Sequence, residues 1–489
     1  MSRASASAGD SPMREFVKRI HLVGIGGIGM SGIAEVLLEL GFQVSGSDLD
    51  DGALARLQKA GARVSHGHRA ENVDDAEAVV VSGAVADDNV ELARARARKI
   101  PVLPRAEMLG ELMRFRKGIA VAGTHGKTTT TSLIASVLAG AGLDPTFIVG
   151  GVINSVRSNA RLGRGEYMVV EADESDASFL HLQPQLAVMT NIDADHMETY
   201  GGDFKNLKAT CLAFLQNLPF YGLAVLCFEN RAVREISANL RKPWVSYGFE
   251  EGVDFRAVDI RQDGLASVFR VERRGKPGFE CRLALPGRHN VLNALAAIAV
   301  ASRLGIGRED LVRALSGFEG IARRSQLLGE IALPASGGRA EALDDYAHHP
   351  SEIAATIEAA RAVRPQRRMV TVFQPHRYTR TRDLFDDFVR VLSGLEPLIV
   401  MRVYSAGEAE IHGAGGRALC RALRQLGRSP VFAADAAELR RALSNILQDG
   451  DLLLTLGAGD IGRIARDLVE RGLRGGAGGL HVAARGGRR

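Results

Sequence analysis

Cysteine is scarce in this chain. Four thiols, Cys211, Cys227, Cys281 and Cys420, are scattered through 489 residues. They are too few for a disulfide framework, and none has the close paired spacing of a zinc site. Reduced thiols and a cytoplasmic location are therefore expected. Long apolar runs are also missing: no stretch approaches the ~18 residues that would cross a bilayer, so membrane insertion is not expected. The opening residues, Met1 to Pro12, are rich in Ser, Ala and Gly and lack the apolar centre of a secretion signal. Residues 1–16 read as a disordered tail. Net charge is only +5; its concentrated part, residues 471–489, reads as a flexible Gly/Arg-rich tail rather than a nucleic-acid-binding segment. What remains, 46% apolar and 24% charged, is a globular composition with the length of about three domains.

The most informative segment runs from Val121 to Thr129. An apolar run leads into Gly123, Thr124, His125, Gly126, Lys127, Thr128 and Thr129, and a helical pattern follows. Backbone amides of such a loop, with the positive end of a helix behind them, cradle phosphate oxygens; the lysine reaches the outer phosphates and a hydroxyl holds Mg²⁺. The usual pattern places a glycine five residues before Gly126, where this chain has Val121. The loop is thus a shortened one, and cleavage of a nucleoside triphosphate is the predicted chemistry.

A second glycine turn lies nearer the start. Gly24, Gly26 and Gly29, with Gly27, Met30 and Ser31 beside them, follow an apolar strand and open a helix, and Asp48 ends the next strand. G-x-G-x-x-G followed by an acid about 20 residues on is a dinucleotide fingerprint. It reports a diphosphate at a helix N-terminus and a sugar hydroxyl near the acid, which either NAD or a UDP-sugar satisfies. The strand from Ala78 ends in Ser82 and Gly83, a short strand is predicted around Val102 with a helix from Glu107, and the pattern breaks between Arg114 and Gly118. A first unit over residues 17–116 follows. Apolar strands ending in Glu171, Asn191 and Cys227, alternating with helices, predict a mostly parallel second unit over 117–322; its part from Arg261 to Pro286 is hairpin-like, before an apolar helix from Val291. Strands at Met369, Leu398 and Leu452 interleave with helices in a third unit over 323–470.

Several side-chain groups suit phosphoryl transfer. Glu171 ends its strand at the edge where α/β sheets bind ligands, within an acidic cluster reaching Asp176, and is a candidate metal ligand. His196, beyond the next strand, is either a hydrogen-bonded structural residue or a ligand for a second metal ion. Asn290 and Asn293 lie three apart at a helix start; they either face an adenine edge or include the helix cap. Arg377 and Arg380, also three apart, are read as sharing a helical face and forming a fork for a carboxylate, with histidine and tyrosine interleaved.

Taken in order, these segments resemble the Mur ligase family of peptidoglycan synthesis. The carriers are Gly24 to Ser31, Gly123 to Thr129, Glu171 to Ser178, Asp195-His196, His289 to Asn293, Arg323-Arg324, Asp344 to Pro350 and Gln374 to Tyr378, spanning His21 to Gly462. The resemblance implies an α/β protein of three domains: a Rossmann-like N-terminal domain, a central P-loop ATPase domain with a mostly parallel sheet, and an α/β Rossmann-like C-terminal domain that closes before chemistry. It implies ATP and Mg²⁺ as cofactors, UDP-N-acetylmuramate and L-alanine as partners, and a monomer or homodimer. It implies that Gly24, Gly26, Gly27, Gly29, Met30, Ser31, Asp48 and Ser82 bind the UDP part, and that Gly123 to Thr129 with Asn290, Asn293, Arg324 and Asp345 bind ATP. Thr128, Glu171 and His196 match metal ligands, Lys127, His196 and Arg324 match catalytic positions, and Tyr346, His348, Arg377 and Arg380 fall at the amino-acid and muramyl end. Gly83 stands where a second serine is expected, and neither Lys205 nor Lys208 is assigned a modification.

Overall fold

The computed structural model describes residues 13–473, apart from Ala335. Within them the chain is α/β throughout, with three sheets. The first runs, in spatial order, Arg63–His66, Gln43–Asp48, Arg19–Val23, Ala78–Val81 and Val102–Pro104, all parallel. Its central strands carry Leu22, Val79 and Val80 with no exposed surface, the composition of strands covered on both faces by crossover helices.

The second sheet has ten strands. Leu223–Cys227, Leu186–Met189, Lys117–Ala122 and Tyr167–Glu171 form its parallel centre, with Trp244–Gly248 and Thr146–Ile153 outside them. Antiparallel hairpins extend both edges: Phe255–Asp263, Ala266–Arg273 and Lys276–Leu283 on one side, Ser158–Arg161 on the other. Residues 279–283 alternate buried and exposed, as an edge with one solvated face should. Helices Lys127–Gly140 and Arg288–Arg303 pack against each other over the central strands, burying Leu133, Ile134, Leu295 and Ile298 in one core.

The third sheet is ordered Gln326–Leu333, Gly338–Asp345, Leu452–Leu456, Met369–Phe373, Leu398–Met401 and Val431–Ala433, parallel except for its first strand. The last strand among the described residues, Leu452–Leu456, inserts between Gly338–Asp345 and Met369–Phe373, so the carboxyl ends of these three parallel strands lie side by side at one edge of the sheet. The chain divides between Ala322 and Arg323 into two compact units, the first holding two sheets and the second holding the third.

Some local expectations shift. Met13–Phe16 forms one helical turn rather than tail; residues 1–12 and 474–489 lie outside the described residues. The helix expected from Glu107 begins at Arg105, and the break expected up to Gly118 gives way to a strand that starts at Lys117. All four cysteines are buried free thiols, and no helix among the described residues is long and apolar enough to cross a membrane.

Candidate active site

The phosphate loop joins the carboxyl end of strand Lys117–Ala122 to helix Lys127–Gly140, with Gly126 left-handed at the helix cap. Its shape is set by the neighbouring strand end. Thr190 Oγ1 donates to the carbonyl of His125 at 2.7 Å, Asn191 Nδ2 donates to the same carbonyl at 2.9 Å, and the His125 amide donates to Asn191 Oδ1 at 2.8 Å. Thr124 Oγ1 in turn accepts from the Asp193 amide at 2.9 Å. The sequence marked Asn191 as a strand end and gave it no such task; a carboxamide can donate and accept at once, which is what a loop with exposed amides needs beside it.

Lys127 Nζ, on the first turn of the helix, donates to the Gly123 and Thr124 carbonyls at 2.7 and 3.1 Å and to the two Glu174 oxygens at 3.0 and 2.7 Å. Although burial opposes it, the carboxylates of Glu174, Asp173 and Glu171 hold the ammonium well above its ordinary range. Thr128 Oγ1 lies 3.1 Å from both oxygens of Glu171, and Glu171 Oε2 accepts the Gly150 amide at 2.8 Å. Thr129 is buried beneath the loop. His196 begins a short turn with φ 54°, 3.6 Å from Asp195; it follows the strand on the opposite side of the loop strand from Glu171.

Asn290 and Asn293 do come together. Asn293 Nδ2 donates to Asn290 Oδ1 at 3.1 Å, Asn290 Nδ2 donates to the Pro286 carbonyl at 2.8 Å, and Thr130 Oγ1 donates to Asn293 Oδ1 at 3.1 Å. Gly287, rather than Asn290, caps this helix. A side chain at Gly126 would put its Cβ 2.6 Å from Asn293 Oδ1, so the pair abuts the phosphate loop.

The other glycine loop sits in the same unit. Asp48 clamps it: its carboxylate accepts the amides of Gly26 at 2.7 Å and Asp50 at 3.0 Å. Gly27 caps helix Ile28–Glu39, and Ser82 lies against Gly24, 3.0 Å from where a Cβ would stand. Met30 and Ser31 are buried in the first turn of that helix, where Ser31 Oγ donates to the Ile28 carbonyl at 3.0 Å. Arg105 was not foreseen. Its guanidinium approaches Gly29 so closely that a Cβ there would stand 2.7 Å from it, and it pairs with Asp173 at 3.0 Å. Arg105 thus lies between the first glycine turn and the acidic turn at Asp173 and Glu174, which holds Lys127 of the second.

In the second unit, Arg323 and Arg324 take different tasks. Arg323 donates to the Gly457 and Gly459 carbonyls and lies 3.1 Å from Asp344; both arginines stand over the Tyr346 ring at 5.1 Å. Asp345 is buried, accepting the Ser325 and Ala347 amides at 2.7 and 2.8 Å; burial raises its carboxyl, against the pull of Arg324. Tyr346, His348, His376 and Tyr404 form a run of ring contacts 5.3 to 5.8 Å apart. Burial first, then the charges of His348, Arg380, Arg377 and Arg323, push His376 down to about 3, so its ring is neutral. The shared helical face expected for Arg377 and Arg380 is not formed. Arg377 has φ 70° and precedes helix Tyr378–Asp383, its guanidinium 3.7 Å from Glu408, while Arg380 is buried beside His376 at 3.4 Å. Arg377 thus lies just outside the helix that carries Arg380, while the charges of both act on His376.

This division of labour predicts different losses. Arg323→Lys leaves carbonyls of Gly457 and Gly459 without their fork and is expected to cost about 2 kcal/mol in urea unfolding. Arg324→Lys is expected to leave the unfolding curve in place while lowering turnover.

Two glycine loops in one α/β unit and a cluster of arginines and aromatic rings in another define a multidomain nucleotide enzyme. Sequence comparison narrows the class. Residues 19–117 match the Mur ligase family catalytic domain, 121–301 the Mur ligase middle domain, and 323–459 the Mur ligase glutamate ligase domain. The chain belongs to the Mur ligase family. It is 58% identical over 457 residues, 93% of this chain and 96% of the other, to UDP-N-acetylmuramate–L-alanine ligase of Methylococcus capsulatus. The crystal structure of UDP-N-acetylmuramate-alanine ligase from Thermotoga maritima superposes with TM-score 0.77 at 32% identity, covering 93% of this chain and 98% of that one. A murein peptide ligase from Psychrobacter arcticus shares the fold, with TM-score 0.69 at 23% identity over 93% of this chain and 98% of its own.

Proposed function

We propose that the protein joins L-alanine to the carboxylate of UDP-N-acetylmuramate, with ATP cleaved to ADP and phosphate, as a cytoplasmic step of peptidoglycan precursor synthesis. The observation that carries the reading is the ion pair of Arg105, packed against Gly29 of the first glycine turn, with Asp173, whose neighbour Glu174 holds Lys127 of the second. An enzyme that only hydrolysed ATP has no use for the first loop, and a nicotinamide oxidoreductase has none for Lys127.

In this reading Gly24, Gly26, Gly27 and Gly29 present the helix N-terminus to the UDP diphosphate, with Asp48 and Ser82 beside it; Met30 and Ser31 serve through the backbone and packing. Gly123 to Thr129 cradle the ATP phosphates. Lys127 exchanges Glu174 for the phosphate being transferred, Asn290 and Asn293 serve the adenine, and Arg324 and Asp345 serve the nucleotide from the second unit. The sugar carboxylate attacks the γ-phosphorus and becomes an acyl phosphate. Two anions must approach for that step, so fixed positive charge at Lys127 and Arg324 lowers its barrier. Tyr346, His348, Arg377 and Arg380 hold alanine, whose amine then displaces phosphate from the acyl carbon.

The hydroxyl of Thr128 and both oxygens of Glu171 lie within 3.1 Å of one another, hard oxygen donors that suit Mg²⁺. With His196 they would hold the ion, which when bound screens phosphate charge. Glu171→Gln keeps an oxygen for the Gly150 amide but loses the negative charge. It is expected to raise the Mg²⁺ concentration for half-maximal phosphate release about tenfold or more; an unchanged Mg²⁺ titration would remove Glu171 from the site.

A further inference from the structure

An amine must lose a proton before it can attack, because an ammonium nitrogen has no lone pair. The following rests on the reading that alanine is held at the Tyr346 to Arg380 cluster. Two histidines lie there, His348 and His376, with ring centroids 5.8 Å apart, and their surroundings fix opposite tautomers. Nδ1 of His376 is 3.4 Å from Nη1 of Arg380. A guanidinium only donates, so this nitrogen is the acceptor and the proton of the neutral ring sits on Nε2. Nδ1 of His348 is 3.0 Å from the Tyr346 carbonyl oxygen and 3.3 Å from Oε2 of Glu352. Both of these only accept, so Nδ1 carries a proton, and in the neutral ring the lone pair of His348 is on Nε2.

Glu352 is itself held in place. It sits in the first turn of helix Pro350–Val363, and its Oε2 accepts the amides of His348 at 3.0 Å and His349 at 3.2 Å. Its side chain is 13% exposed and that of His348 18%, so neither is freely solvated. A carboxylate fixed behind Nδ1 of a neutral imidazole, leaving Nε2 basic, is the arrangement that takes a proton from a nucleophile. His376, with its Nδ1 turned to a cation, has the opposite polarity.

We propose that Nε2 of His348 accepts the proton of the incoming amine, and that Glu352 is the positioning residue that fixes this tautomer and stabilises the imidazolium. The ammonium gives one proton to Nε2; its freed lone pair forms the C–N bond at the acyl carbon. The C–O bond to phosphate then breaks, its electron pair leaving with the phosphate, which takes the second proton from nitrogen. The imidazolium returns its proton to solvent.

Hydroxylamine tests this, since it is uncharged at neutral pH and converts an acyl phosphate to a hydroxamate without needing the base. The full chain, with UDP-N-acetylmuramate, ATP and Mg²⁺, is given either L-alanine or hydroxylamine, and the ratio of amide to hydroxamate rates is measured. H348Q is expected to lower that ratio about a hundredfold. E352Q, which still offers an oxygen to both backbone amides, is expected to lower it about tenfold or more. An unchanged ratio in both variants overturns the proposal. Absence of hydroxamate from the unaltered protein instead overturns the acyl-phosphate reading beneath it.

Discussion

Lys127→Ala is expected to lower ATP-dependent phosphate release by about a thousandfold, the loss of a preorganised charge aimed at the transferring phosphoryl group. It is also expected to lower stability, for a separate reason. Lys127 and Glu174 form a pair whose side chains are 14% and 4% exposed, and removing one member of a buried pair costs about 3–5 kcal/mol by leaving the other charge unmatched. Adding Glu174→Gln removes that charge. The double variant is therefore expected to recover most of the urea midpoint while remaining inactive. If the single variant unfolds like the unaltered protein, Glu174 is not held by this lysine; if the double variant regains phosphate release, the lysine is not the phosphate's partner.

Gly123→Ala is expected to abolish turnover by a different route. At φ 127° the residue occupies a region that side chains avoid, and a Cβ there would stand 2.2 Å from Thr190 Oγ1 and 2.7 Å from the Asn191 carbonyl oxygen. The second contact is backbone, so no rotamer change relieves it. The loop must move off the Thr190 and Asn191 side chains that shape it, and phosphate release is expected to fall about a hundredfold or more, as a misplaced site does, with a stability cost of about 3 kcal/mol. Gly142→Ala supplies the control. It too has positive φ, at 75°, but nothing lies within 4 Å of its Cβ; a cost of about 1 kcal/mol and normal turnover are expected. Equal losses in the two variants would show that backbone strain alone, rather than the strand-end contact, governs the loop.

Much of this site was legible in the sequence because its parts are local. Gly126, Lys127 and Thr128 are adjacent in the chain, and Glu171 announces itself by ending an apolar strand. The parallel centre of the second sheet was legible for the same reason, as runs such as Leu223–Cys227 are buried along their whole length. What was not legible depends on partners distant in the chain. Arg105 meets Asp173 across 68 positions, and its close approach to Gly29 appears only once the chain is folded. Arg323 and Arg324 are chemically identical in sequence; which one is anchored is decided by the Gly457 and Gly459 carbonyls more than 130 positions away. The helical face proposed for Arg377 and Arg380 failed because a three-residue spacing presumes a helix, and the chain enters this one only at Tyr378. Glu352 carries no signal in the sequence; its contacts with the His348 and His349 amides and the His348 ring appear only when the turn before the helix is built.

The central claim is that phosphate is released because an amide is made. The direct measurement gives the purified chain UDP-N-acetylmuramate, ATP and Mg²⁺ with L-alanine, or with the tripeptide that murein peptide ligases attach, and quantifies amide product, ADP and phosphate together. The account predicts equal amounts of all three with L-alanine and little product with the tripeptide. L-alanine giving no more turnover than buffer, or phosphate appearing without amide, would contradict it.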